Sequence, residues 1–206
     1  MGPSCVMGEV VYDGRNSSMI HRSVWLAGAL ALIATSASAQ VTVFSGTATA
    51  ATACSIAARH SNVTPATLQI CTEAILTEPL SARDMAGTHV NRAVLYMISM
   101  DWSHAMSDLD EALTIDPRMG EALVNRGAVL IGQRRYAEGV AEIDRGLALR
   151  PEEPERAFFN RALAKERLDD LKGAYYDYLR ASELAPTWGA PQEELKRFSV
   201  SPAPKG

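Results

Sequence analysis

The sequence has no excess of basic residues. Its 20 Lys and Arg are outnumbered by 24 Asp and Glu, a formal net charge of −4, whereas a nucleic-acid binder would carry a basic face. No catalytic signature is present: Gly-x-Ser-x-Gly, a phosphate loop and a dinucleotide fingerprint are all missing. The four histidines, His21, His60, His89 and His104, have no metal-ligand spacing with Cys, Asp or Glu. Paired acids such as Glu152-Glu153 and Asp169-Asp170 read as solvated loop charges. These absences point away from an enzyme, a cofactor and a metal. Cysteine is scarce, three in 206 residues with no Cys-x-x-Cys, which argues against redox chemistry. The apolar run at 24–34 has 11 residues, short of the roughly 20 that span a bilayer.

That run has another reading. It follows the short basic stretch Met19-Ile-His-Arg22 and is followed by Ala37-Ser38-Ala39, small residues where a signal peptidase reads. The three parts make a secretory signal peptide from about residue 19, predicting cleavage after Ala39 and a periplasmic or secreted protein starting at Gln40. A buried helix or an uncleaved anchor is the alternative. Residues 1–18 show no periodic pattern. Residues 40–50 read as an extended leader. Cys5 lies upstream of the cleavage site, so the mature chain keeps Cys54 and Cys71, an even number suited to an oxidising compartment.

The rest of the chain repeats. Asn-Arg-small occurs at Asn91-Arg92-Ala93, Asn125-Arg126-Gly127 and Asn160-Arg161-Ala162, and each time a proline follows 26 residues after the Asn, at Pro117, Pro151 and Pro186. A fixed period of 34 to 35 residues signals a solenoid. With position 1 at Ala86, Gly120 and Glu155, positions 8, 20 and 27 are always small and position 24 is large and apolar. Small residues recur where two helices cross closely. The middle unit has Gly at all three small positions, making it either the softest or the most closely packed, since each helical Gly costs about 1 kcal/mol against Ala.

This pattern resembles the tetratricopeptide repeat, a helix–turn–helix unit of 34 residues, here of a bacterial secreted or periplasmic type. The resemblance implies an all-α fold, a right-handed solenoid of antiparallel helix pairs over 51–198. Its full units are 86–117, 120–151 and 155–186, after a degenerate unit at 51–79. The chain departs from the family at position 4 (His89, Leu123, Phe158) and position 7, where Arg92, Arg126 and Arg161 replace the usual Leu. In the degenerate unit, Thr64 and Pro65 suit the start of a second helix. Ser81 and Asp84 suit a cap near the start of the first full unit. After Pro186, Pro191 begins a capping helix at 191–198 with Leu195 and Phe198 on one face; Trp188 is expected to pack on the last unit, and 199–206 to be a frayed tail.

Three expectations about side chains follow from the register. Positions 7 and 24 face each other across a helix pair, so Cys54 and Cys71 are expected to form a disulfide, with buried free thiols as the alternative. Position 23 is Asp108, Glu142 and Asp177, so the three arginines are expected to bridge to these acids rather than form a ladder for an anionic ligand. The first helices should line a concave groove through Val90, Asn91, Val94, Met97, Val124, Asn125, Ala128, Arg156, Phe159, Asn160 and Leu163. An apolar strip edged by Asn amides suits an extended peptide. Some relatives grip a peptide's C-terminal carboxylate with Lys and Asn on successive units. Asn125 and Arg156 fall on comparable positions, but Val90 and Val94 stand where Lys and Asn are needed, so that activity is not expected. The expected function is a non-catalytic adaptor binding another protein or a peptide, with no nucleic acid and no membrane beyond the signal peptide. The alternative is a structural or self-associating module, a possible homo-oligomer, whose groove is filled by its own chain or by a second copy.

Overall fold

The computed structural model describes residues 10–12 and 49–200. The expected signal peptide, most of the expected leader, Cys5 and residues 201–206 lie outside them. Among the described residues, a short strand β1 (Val10–Tyr12) precedes nine helices: α1 (Ala50–Arg59), α2 (Pro65–Thr77), α3 (Ala82–Ile98), α4 (Trp102–Ile115), α5 (Gly120–Gly132), α6 (Tyr136–Ala148), α7 (Pro154–Arg167), α8 (Leu171–Leu184) and α9 (Gly189–Leu195), and then strand β2 (Phe198–Val200). The helices form an all-α solenoid of four pairs, α1–α2 to α7–α8, closed by α9. Among the described residues, no helix is long and apolar enough to cross a membrane.

Local chemistry sets the helix ends. Thr64 accepts from the Thr67 amide at 3.1 Å, and Thr67 Oγ1 accepts from the Thr64 amide at 2.9 Å, a reciprocal cap with Pro65 in the first turn. Ser81 starts α3 by accepting from the Asp84 amide at 3.2 Å while donating to its carboxylate at 2.7 Å. The Glu78 carboxylate accepts from the Ala50 and Ala51 amides, tying the end of α2 to the start of α1. After each first helix of the full units the chain turns through a positive φ, at Met100 (59°), Arg134 (64°) and Asp169 (61°). None of these is the glycine that such a turn favours.

Small residues do what the period implied. Ala86, Val90, Ala93 and Met97 on α3 pack with Ala105, Leu109 and Ala112 on α4 in one buried cluster. The middle pair packs closely. A Cβ on Gly127 would stand 2.8 Å from the Gly139 carbonyl oxygen and 2.6 Å from Ile143, so α5 and α6 touch backbone to backbone.

The end of the solenoid differs from expectation. The capping helix spans Gly189–Leu195, not 191–198, and Phe198 opens β2, which pairs antiparallel with β1 in the register Val10↔Val200. Neither a pattern at 10–12 nor a strand at 198–200 was read from the sequence. Extended backbone brings the Phe198 ring to 5.8 Å from Tyr175 and 6.1 Å from Tyr178, and its ladder partner comes from the other end of the chain, where no local pattern points to it.

Candidate functional site

A helix turns 100° per residue, so positions 1, 5, 8 and 12 of each first helix form one stripe and positions 2, 6, 9 and 13 the next. The small residue at position 8 must meet the second helix, so positions 5 and 12 meet it too. Val90 and Met97 accordingly lie in the α3–α4 core. Val124 lies beneath Gly146, where an added Cβ would be 2.6 Å from its Cγ2. Phe159 sets its ring edge-on to Tyr178 at 5.4 Å and against Trp188 at 4.9 Å. These four are core residues, a correction to the expected groove lining.

The neighbouring stripe holds the rest. Val94 packs with Cys54, Ala57 and Ala58 of α1, and Ala128 joins the cluster around α3 and α4. Asn91, Asn125 and Asn160 align on successive first helices and are all buried. Gly132, at position 13, lies under the Trp102 ring, which an added Cβ would meet at 2.8 Å. Of the eleven expected lining residues only Arg156 and Leu163 are partly exposed. Arg156 lies over Trp188 at 5.8 Å, so Trp188 touches both the Phe159 ring and a cation.

The arginine bridges form as expected. Arg92 holds Asp108 with two nitrogens, Nε at 2.8 Å and Nη2 at 2.7 Å, and Arg161 holds Asp177 in the same way at 2.8 and 2.6 Å. Arg126 directs both nitrogens to one Glu142 oxygen, at 3.1 and 2.8 Å, and Arg145 takes the other oxygen at 2.8 Å. His89 adds a third contact to Asp108 at 2.9 Å, and Lys165 a third to Asp177 at 2.9 Å. Burial pushes the Asp108 carboxyl up, but the bonds from Arg92 and His89 outweigh it and hold the group below the usual carboxylate range. Cys54 and Cys71 are joined by a disulfide with Cα atoms 4.9 Å apart, closing the first helix pair at the positions the register named.

One set of partners was missed. The remaining nitrogen of each arginine, Nη1, reaches back to the preceding unit: Arg92 to Thr72 at 2.8 Å, Arg126 to Asp110 at 3.1 Å and Arg161 to Asp144 at 2.5 Å. All three acceptors occupy position 25 of their units, so a column read down that position would have found them. The chemistry of this site is hydrogen bonding and shape; among the described residues no group of three His, Cys, Asp or Glu is placed to hold a metal ion.

No family model matches the chain. It is 26% identical over 110 residues to a DnaJ homolog subfamily C member 7 homolog of Dictyostelium discoideum, covering 52% of this chain. That region is about a fifth of the relative's own length, 20%. Among solved structures, the first TPR of Spaghetti (RPAP3) bound to an HSP90 peptide superposes with a TM-score of 0.50 at 21% identity, over 54% of this chain and 88% of that one. The second TPR domain of human RPAP3, in complex with an HSP70 peptide, does so with a TM-score of 0.51 at 18% identity, over 57% and 97%. The chain therefore has a tetratricopeptide-like fold.

Proposed function

We propose that the chain is a non-catalytic adaptor that binds another protein or a peptide along the faces of its stacked first helices. The observation that carries this is the alignment of α3, α5 and α7 in a fold two of whose neighbours were solved with bound peptides. On this reading the ligand contacts begin at the last full unit, where Leu163 and Arg156 are accessible. Arg156 also pairs with Glu153 at 3.2 Å, and a cation stacked on an indole can be shared with an acidic or amide-bearing segment of a ligand. We place the protein in the periplasm or outside the cell, with the chain trimmed after Ala39, a cut that removes β1 and leaves β2 without its partner; an intact mass from the secreted fraction that begins at Gln40 supports this, and one retaining 24–34 opposes it.

A phage-displayed peptide library panned on residues 40–206 tests the binding reading. Selected peptides should lose at least about tenfold in affinity on Leu163→Arg or Arg156→Glu, as truncated anchors in such interfaces do. They should keep it on Glu183→Lys, which lies on the second helix of the same unit. Peptides indifferent to both changes place the site elsewhere.

A second reading is that the chain itself or a second copy fills this face, and the burial of Asn91, Asn125 and Asn160 within the single chain fits the first of these. Light scattering of residues 40–206 separates the two. A dimer that persists at micromolar concentration supports a second copy, and a monomer that binds selected peptides supports the adaptor.

A further inference from the structure

Position 7 is tied to the second helix in every unit. In the first unit the tie is covalent, Cys54 to Cys71. In the other three it is an arginine, and that arginine also holds the preceding unit through position 25. The column ends at Leu179, which has no acceptor for a further arginine. There the chain turns into α9, and Arg197 pairs with Glu166 of α7 instead.

In a solenoid each unit contacts only its neighbours, so its cooperativity is set by unit strength and interface strength. The helices α5 and α6 have low propensity of their own, with Gly at positions 8, 20 and 27, so they depend on the packing and junctions around them. The two junctions of this pair are the ones spanned by Arg126 and Arg161. The acids reached across those junctions are exposed, 57% for Asp110 and 53% for Asp144, but the arginine side chains are only 23% and 17% exposed. Each guanidinium is thus held in a partly desolvated place between two carboxylates. An exposed pair alone contributes little; a shielded cation shared by two acids on different units couples those units directly.

We propose that the three arginines are coupling elements that make the units open as one body, and that the pair that most depends on them is α5–α6. This stands independently of what the protein binds.

Hydrogen exchange read by mass spectrometry on the full chain tests it, because peptides report each helix separately. In the Asp110→Ala/Asp144→Ala variant, protection of α5 and α6 should fall at least about fivefold further than that of α3 and α4, the scale of two lost ion pairs. Alanine favours helix more than aspartate does, so loss of propensity is not the cause. Glu138→Gln removes the exposed pair with Arg135, which crosses no junction, and should produce no separation. Arg126→Lys keeps the charge, but one ammonium cannot span both Glu142 and Asp110, and it should separate α5–α6 from α3–α4 in the same direction. A uniform fall across α3 to α8, an unchanged pattern in the double variant, or wild-type behaviour of Arg126→Lys would overturn the proposal.

Discussion

At the scale of the residue, the buried Asp108 shows how this fold uses charge. It accepts from Arg92 and His89 in a place water hardly reaches. Its carboxyl is held low in the folded state, so the stability it contributes is complete above the unfolded value, about 4, and is lost as pH falls through the folded value. Asp108→Asn should therefore lower the melting temperature at pH 7 and flatten its fall below about pH 4. Thermal melts at stepped pH check this, and parallel curves for variant and wild type would contradict it. Met100 carries the opposite lesson. Its φ is 59° and the residue is 71% exposed, so it has a strained backbone and little packing to lose. Met100→Gly should raise stability by about 0.5–1 kcal/mol, relief of the left-handed penalty less the glycine's greater unfolded-state entropy. Urea unfolding measures it, and a destabilised variant would mean that Met100 makes contacts that matter.

At the scale of the element, the α5–α6 pair inverts the usual rule for glycine in helices. Helix propensity alone says that Gly127→Ala should stabilise by about 1 kcal/mol. The Cβ would stand 2.6 Å from Ile143 and 2.8 Å from a backbone oxygen, and overpacking of that kind costs about 1–3 kcal/mol or more. The variant should unfold at lower urea than wild type; a more stable Gly127→Ala would show that the helices can separate freely. The first pair relies on the disulfide instead. The α1 helix has 10 residues, too few to persist alone, and the cross-link closes a loop 17 residues long. Replacing both cysteines with alanine should cost about 3 kcal/mol and expose α1 and α2 to proteolysis before the rest of the chain. Both effects can be followed by limited digestion and mass spectrometry.

At the scale of the molecule, periodicity made most of the fold legible. The recurring prolines and small residues marked the helix pairs, and Thr64 and Ser81 marked starts that the structure confirms. The arginine–acid bridges were legible because both partners recur at fixed positions of a unit, and the disulfide because Cys54 and Cys71 fall on positions 7 and 24 of the first. Of the expected lining, four residues belong to the stripe that meets the second helix, and most of those on the next stripe are buried as well. Val90, Met97, Val124 and Phe159 lie a fraction of a turn from the face that a ligand could reach, and only the packing of two helices decides which stripe is covered. The ribbon of β1 and β2 was not legible at all, because its partners lie at opposite ends of the chain and each strand has three residues. Position 25 was legible only as a column, since its acids act on the next unit and not on their own.

Hydrogen exchange of residues 40–206 with and without a peptide selected by display tests the binding account most directly. Added protection should concentrate on the first helices α3, α5 and α7, strongest near Leu163 and Arg156, and leave the outward faces of α4, α6 and α8 unchanged. Protection confined to those second helices would contradict the account.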